Sequence, residues 1–501
     1  MKTHEFDVVV LGSGFAGSLT AMILQQIGQR VALIDKTRHP RFAIGESSTP
    51  IANMVLRDLA IRYDLPRLLP LTKYGSWQDT YPHLGCGLKR GFSYFAHEAD
   101  RTFAPSPTHA NELLVAASSC DHDSDTQWLR ADVDRFLYRE AATIGVTVLE
   151  DCAVGKIRHD GVGDWSIDCQ FEAQRNTLRA SFVIDATGEA GVLPRSLGIA
   201  SAYDQCLTRS RAIFSHFRDV HSWHEQFEQL GGNTQDHPFP CDNAAQHHIL
   251  DGTWLWVLRF NNGLTSAGLV LDEAAHPLDD SLDAATEWKR WLDRYPSVAA
   301  MFANANLASV PGKMLRTQRL QRRWSRSSGE DWALLPHTAG FVDPLHSTGV
   351  AHSLCGVERL ARILDQHAAG EPRTLALRNY DFIIGQELAL IDELVSTCFA
   401  TFHQFDLLIL ASMLYFAAVT TYERERFGGE SSLAFLCADQ LEIRELLHSA
   451  RQLIADNASV PEQAAIDLVR GKIASLIAPI NHVGLLDPTV ANMYRHTAPT
   501  M

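Results

Sequence analysis

The 501-residue chain is short of positive charge: 44 Lys and Arg stand against 59 Asp and Glu, a formal net charge of −15 at pH 7. That balance excludes the broad basic face by which proteins hold nucleic acid or an anionic membrane surface. The nine cysteines are scattered and form no C-x-x-C pair. This excludes a disulfide framework and suits reduced thiols in a cytoplasm. None of the 22 histidines has the H-E-x-x-H spacing, so no metal is expected. Internal repeats and low-complexity tracts are lacking. So is an apolar run of the roughly 20 residues that a membrane span needs. The charge-free stretch Leu407–Val419 falls short of that. It reads as a buried helix, and it is apolar enough to wall a substrate cavity. A first strand from about Phe6 leaves no room for a leader.

What is present is concentrated at the start. Val8-Val9-Val10-Leu11 is the apolar run of a buried parallel strand. Gly12-Ser13-Gly14-Phe15-Ala16-Gly17 follows it, then Leu19, Ile23, Leu24 and Ile27 at helical spacing, and Gly28 to end the helix. A second apolar run, Val31 to Ile34, ends in Asp35. This is a βαβ unit that binds a dinucleotide. Gly12 permits the tight turn, Gly14 admits a pyrophosphate to the backbone, and Gly17 lets helix and strand pack closely. Asp35 is placed to hold ribose hydroxyls. An acid there favours FAD or NAD over NADP and does not separate the first two.

Further motifs follow. Gly45-Glu46-Ser47-Ser48-Thr49-Pro50 reads as an ordered loop near the cofactor, before a helix at Ile51–Leu59. Lys89, between Gly85-Cys86-Gly87-Leu88 and an aromatic strand, reads on its own as a solvated lysine at a strand start. Arg130 precedes a helix, where it is placed to meet a phosphate or a flavin edge. Ser181 to Asp185 is a buried strand whose turn runs to Gly188. Trp254 and Trp256 alternate and share one strand face. Asp343-Pro344-Leu345-His346-Ser347-Thr348-Gly349 leads into a helix from near Gly349 to about Leu364. The amides of Thr348 and Gly349 suit a small anion there. Helical spacing recurs over Phe382–Phe405, Leu407–Tyr422, Ser432–Leu436 and Gln463–Ile477.

Together these segments, from about residue 5 to about 365, resemble the flavin-dependent halogenases of the tryptophan halogenase superfamily. The loop at Gly45–Pro50 resembles the family's G-E-[AS]-[TS]-x-P. Lys89 falls at the place of its essential lysine. Trp254-Leu255-Trp256-Val257-Leu258 resembles W-x-W-x-I, and Asp343 to Gly349 resembles the segment that contacts flavin and cradles halide. The resemblance implies an α/β fold: a Rossmann-like FAD-binding part of the glutathione-reductase type, a mixed substrate sheet and a C-terminal helical region. The expected divisions are 1–200, 201–320, 321–372 and 373–501. Within the family the pattern is most similar to the branch that acts on small free phenols.

That resemblance implies FAD, supplied reduced by a separate NAD(P)H-dependent flavin reductase, and a chloride or bromide ion. The implied FAD contacts are Gly12, Gly14, Ala16, Gly17, Asp35, Lys36, Gly45, Glu46, Ser47, Ser48, Arg130, Asp185, Gly188, Asp343 and Pro344. Thr348 and Gly349 hold halide, and Trp254 and Trp256 bar the substrate from the flavin. Lys89 delivers hypohalous acid to an electron-rich aromatic. His346 is expected, from its own chemistry and not from the resemblance, to take a proton from a phenol; the alternative is a histidine that lines the loop without a role. A homodimer is compatible with all of this. Arg259 stands where the family continues with proline, His346 where indole halogenases carry glutamate, and Pro336-His337 where relatives carry Gly-Asp. The alternatives are an aromatic hydroxylase on the same fold and a halogenase of carrier-bound, pyrrole or indole substrates. An isoprenoid-reducing flavoprotein and a non-catalytic flavin binder are the others.

Overall fold

The computed structural model describes residues 2–171, 174–429, 434–458 and 463–498. The first strand, Lys2–Leu11, lies between Val31–Ile34 and Gln174–Asp185, parallel to both. Thr147–Leu149 continues the parallel sheet beyond Val31–Ile34, and Trp332–Leu334 pairs with the end of Gln174–Asp185. The other half of that long strand turns antiparallel, onto Asp164–Phe171 and then Ala153–Gly161. The βαβ reading holds, with the helix at Phe15–Gln26. A chain return as late as Trp332 completes the same sheet.

A second, mostly antiparallel sheet carries the tryptophans on an inner strand. Thr253–Arg259 lies between Ala245–Leu250 and Thr265–Asp272. Alternation along it divides two cores. Trp254, Trp256 and Leu258 face the core shared with the nucleotide-binding part. Leu255 and Val257 face a second core, under the helices Trp223–Gln229 and Ala284–Asp293.

The C-terminal part is helical, with different bounds from those expected. One helix runs Glu371–Phe399, starting earlier because Gly370 and Pro372 begin it, and a turn at residues 400–404 breaks it. The next runs Phe405–Phe427. Its mean hydropathy of 1.6 suffices for a membrane span, but 89% of its apolar window is buried inside the protein. Leu407–Val419 is therefore a core helix, as read. Of the segment Ser432–Leu436, Ser432 and Leu433 lie outside the described residues, and a 3-10 turn at Phe435–Cys437 follows. Leu441–Asp456 forms a further helix, outside the segments named from the sequence, with Ile443, Leu447, Ala450 and Ile454 buried along one face.

Candidate active site

The dinucleotide turn is shaped by contacts that only glycine permits. A Cβ at Gly12 would lie 2.6 Å from the Ala186 carbonyl oxygen, and one at Gly17 would lie 2.0 Å from that of Gly12. Space beside Gly14 is bounded instead by the guanidinium groups of Arg130 and Arg41, 3.5 and 3.8 Å from such a Cβ, with the Asp134 carboxylate that pairs with Arg130 at 3.9 Å. Two cations beside a helix N-terminus suit a pyrophosphate. The loop after it is laid as an extra strand along Asp125–Trp128. Ser47 bridges to Gln127, Ser48 N donates to Thr126 O at 3.1 Å, and Trp128 N donates to Glu46 O. Ser47 Oγ and both amide atoms of Gln127 are buried without a partner among the described residues. Unsatisfied buried polar atoms beside such a turn fit the polar edges of a bound dinucleotide. No spacing rule pointed to Gln127.

Several expected contacts are spent within the protein. Asp35 Oδ2 accepts from the Ser13 amide (2.9 Å), the Ser13 hydroxyl (2.8 Å) and Arg41 (3.3 Å), and Oδ1 accepts from the Thr37 amide and hydroxyl. Burial would raise its pKa, but Arg41 and these donors hold it low. A ribose hydroxyl would have to displace one of them, so Asp35 shapes the turn first. Asp185 likewise gives its oxygens to Thr187 and to Leu193 N. These bonds set the turn that presents Gly188. Arg130 opens the helix Arg130–Thr143 rather than preceding it. It pairs with Asp134 at 2.9 Å, and Nη1 donates to the carbonyls of Ile44 and Gly45. Ala16 is buried, Lys36 is exposed, and Pro344 and Gly349 are half-buried.

Lys89 is not a solvated lysine. It is 0% exposed, and its ammonium donates to Ser48 O at 2.5 Å and lies 4.2 Å from the centre of the Phe92 ring. The strand Cys86–Lys89 pairs antiparallel with Asp125–Trp128, and this register sets Lys89 opposite Asp125. Burial pushes Lys89 down to about 7 against the pull of Asp125. Burial pushes Asp125 up in turn, although Lys89 and the Asn53 amide (2.6 Å) favour its charged form. Both groups are driven toward neutrality. Asp125 and Asn53 escaped the sequence reading because strand pairing sets Asp125 opposite Lys89 and the helix Pro50–Arg62 brings Asn53 to Asp125.

An aromatic chain leads away from Lys89. Phe92 lies 5.5 Å from Phe416 and 6.5 Å from Tyr415, centre to centre. His346 stacks on Tyr415 at 4.3 Å. On the other side Tyr94 stacks on His247, His247 lies 5.0 Å from Trp254, and Trp254 lies 6.1 Å from Trp256. The chain continues through Phe214, Phe42 and His216, whose Nε2 sits 3.0 Å from Glu46. Lys89, His346 and the two tryptophans thus belong to one continuous wall. His346 is buried, Nε2 is 3.5 Å from Cys398 Sγ, and Nδ1 has no partner among the described residues. Burial, and then nearby His247, push its pKa down to about 3.

Beyond this wall the helix Thr348–Gln366 begins after Ser347, which takes the left-handed conformation at φ 54°. Space beside Gly349 is open, with no atom within 4 Å of a would-be Cβ. Asp343 accepts from Ser210 Oγ at 2.7 Å and from Leu345 N at 3.1 Å, which fixes the entry to the helix. Arg259 leaves the tryptophan strand intact. It pairs with Asp242 at 3.3 Å and donates to the carbonyls of Val220 and His221, tying the strand end to the next loop. His337 lies beside Gly188, in the short helix Pro336–Ala339.

The fold and the turn define an FAD-dependent oxidoreductase, and the family model "FAD dependent oxidoreductase" matches residues 7–208. A second model, "Tryptophan halogenase", matches residues 127–406, more than half of the chain. The chain belongs to the tryptophan halogenase family and is a flavin-dependent halogenase. Tetracycline 7-halogenase of Kitasatospora aureofaciens is 29% identical over 416 residues, 81% of this chain and 71% of that protein. Monodechloroaminopyrrolnitrin halogenase PrnC of Pseudomonas fluorescens is 28% identical over 503 residues, 93% and 85% of the two chains. The crystal structure of halogenase PltM in complex with phloroglucinol and FAD superposes with a TM-score of 0.85 at 22% identity, covering 99% of this chain and all of that one. At that identity the likeness concerns the fold.

Proposed function

We propose that this enzyme halogenates a small free phenol, with Lys89 delivering the halogen. Bound FAD, supplied reduced by a separate NAD(P)H-dependent reductase, would furnish the two electrons by which dioxygen and halide become hypohalous acid. Gly12, Gly14, Ala16, Gly17, Lys36, Gly45, Glu46, Ser47, Ser48, Arg130, Gly188, Asp343 and Pro344 hold the cofactor, with Gln127 added. Asp35 and Asp185 act by shaping its turns. The amides of Thr348 and Gly349 hold the halide at the open helix start. Trp254 and Trp256 separate the phenol from the cofactor.

Lys89 donates a hydrogen bond to hypohalous acid, or as a free amine carries its halogen, and aims it at the ring. The ring gives up a proton as the carbon–halogen bond forms, and water leaves. The observation that supports this most is Lys89 itself: a buried amine against Phe92, from which the aromatic chain runs to His346 on one side and to Trp254 and Trp256 on the other. A phenol as substrate is supported by the aromatic lining of Phe92, Tyr415 and Phe416. The PltM structure that superposes on this chain contains phloroglucinol. The test is incubation with FAD, a reductase and bromide or chloride against free phenols, carrier-bound pyrroles and indoles, read by mass spectrometry. Halide-dependent mass gain on phenols is expected. Products confined to pyrroles or indoles would overturn the substrate, and halide-independent hydroxylation would overturn the chemistry.

His346 takes a narrower part than a general base. With its pKa near 3 it is neutral and a poor proton acceptor at physiological pH. Its free Nδ1 instead accepts a hydrogen bond from the phenol. His346→Phe should raise KM for the phenol about tenfold, the worth of one such bond, ~1.4 kcal/mol. His346→Gln should keep the pH profile of turnover. Loss of a limb of that profile in His346→Gln would restore the base.

A further inference from the structure

On the sheet face opposite the tryptophans, three donor side chains converge that the halogenation chemistry leaves unused. His224 stands in the first turn of the helix Trp223–Gln229, and His237 and Cys241 lie in the loop that follows. One nitrogen of each imidazole and the Cys241 sulfur lie within 4.8 Å of one another. His224 Nδ1 is 3.6 Å from Cys241 Sγ. Two ligands on one tetrahedral zinc ion are about 3.6 Å apart, given Zn–S of about 2.3 Å and Zn–N of about 2.0–2.1 Å.

The strongest indication is His237. Its side chain is 1% exposed, Nε2 sits 3.0 Å from Glu112 Oε2, and Nδ1 has no partner among the described residues. A carboxylate that fixes the proton on one ring nitrogen leaves the other with a free lone pair, the usual support of a metal-bound histidine. Glu112 is itself fully buried and held through Oε1 by His109 Nδ1 at 2.6 Å. His109, Glu112 and His237 form a second close triple. Their mutual hydrogen bonds make His109 and Glu112 the support, and leave His237 Nδ1 as the free donor of that triple.

The cluster rests on firm backbone. Asp242 Oδ1 accepts from the amides of Trp223 and His224 and from the Gln246 side chain, and Arg259 pairs with the same carboxylate. Cys241 O accepts from Ser93 Oγ at 3.0 Å, between Phe92 and Tyr94 on the neighbouring strand.

We infer that His224, His237 and Cys241 bind one zinc ion. The Cys241 thiol loses its proton to solvent and binds as thiolate, two imidazole nitrogens bind neutral, and water completes the tetrahedron. The side chain of His224, 25% exposed, marks the way in. The ion clips the loop to its helix and, through Glu112, to the strand Glu112–Ala116. It steadies the back of the sheet that carries Phe92. The low-spacing signal is His237-x-x-x-Cys241, with His224 a loop away.

The test uses full-length, untagged, FAD-loaded protein. Metal analysis should find one zinc per chain. After chelation, Co2+ should produce a thiolate-to-cobalt charge-transfer band, absent in Cys241→Ser. His224→Gln, at a partly exposed position, should keep flavin binding and weaken zinc about 10- to 100-fold. Zn2+ should raise the Tm of the stripped wild type and not that of His224→Gln. Wild type without stoichiometric zinc and without the cobalt band would overturn the site. So would a band of unchanged intensity in Cys241→Ser or zinc affinity unchanged in His224→Gln.

Discussion

Lys89→Ala should lower halogenated product on the order of 10³-fold or more, while reduced flavin is still consumed by oxygen at close to the wild-type rate. The separation follows from where the residue sits. Lys89 touches Ser48 O and the Phe92 ring, not the glycines of the dinucleotide turn. Its loss removes the delivering amine and one bond to Ser48, whose amide still holds the loop to Thr126 O. Once its cation is gone, burial drives the Asp125 carboxyl to its neutral form, so the fold should survive. Lys89→Met, which keeps the apolar stem, should fail equally. Product formed by Lys89→Met at wild-type rate would refute the assignment. The titration supplies a second reading. If the free amine acts, single-turnover halogenation rises with pH through about 7 and then levels, because deprotonation of Lys89 is complete above its pKa. Asp125→Asn removes the charge that holds this pKa up, so the rise should move to lower pH. A profile unmoved by Asp125→Asn would detach the rise from Lys89.

The parts of this site that could be read in the residue order are those set by local rules. Gly12, Gly14 and Gly17 are demanded by backbone approach within one βαβ unit, and Trp254 and Trp256 share a face because a strand has period two. The helix after Ser347 starts one residue before the position expected, at Thr348. The partners of Lys89 obey no local rule. Asp125 meets it through strand pairing, and Tyr415 reaches Phe92 from a helix late in the chain. The bonds of Asp185 were hidden for a related reason: a carboxylate at a strand end serves its own turn as readily as a ligand. The helix Leu441–Asp456 was missed although its apolar stripe, Ile443, Leu447, Ala450 and Ile454, keeps helical spacing throughout. Lys89 was legible by resemblance alone, since an isolated lysine between glycines reads as exposed and burial is a property of the whole fold.

Glu387→Ala should destabilise the protein by about 3–5 kcal/mol, the cost of leaving a buried cation unpaired, and should loosen the halide end of the site with it. Glu387 is fully buried in the helix Glu371–Phe399. Its carboxylate accepts from Arg359 at 2.6 Å, sits 3.1 Å from His352 Nε2, and accepts from Phe435 N at 2.7 Å. Arg359 and His352 belong to the helix that Thr348 and Gly349 open. One carboxylate therefore fastens that helix to the C-terminal bundle. Burial works against its charge, but Arg359 and His352 overcome this and hold its pKa at about 2 against an ordinary 4.5. The sign follows from linkage: a depressed carboxyl stabilises the fold above about 4.5, and the contribution fades as pH falls toward 2. A shift of that size corresponds to ~3 kcal/mol. Urea unfolding of wild type and Glu387→Gln should differ by about that much near neutrality, and the gap should narrow in acid as the wild-type carboxylate protonates. Glu387→Gln, which keeps the shape and loses the charge, should also raise KM for bromide, because the helix that offers the amides is less firmly held. Equal urea midpoints for the two proteins near neutrality would show that the Glu387 charge does not fasten this helix.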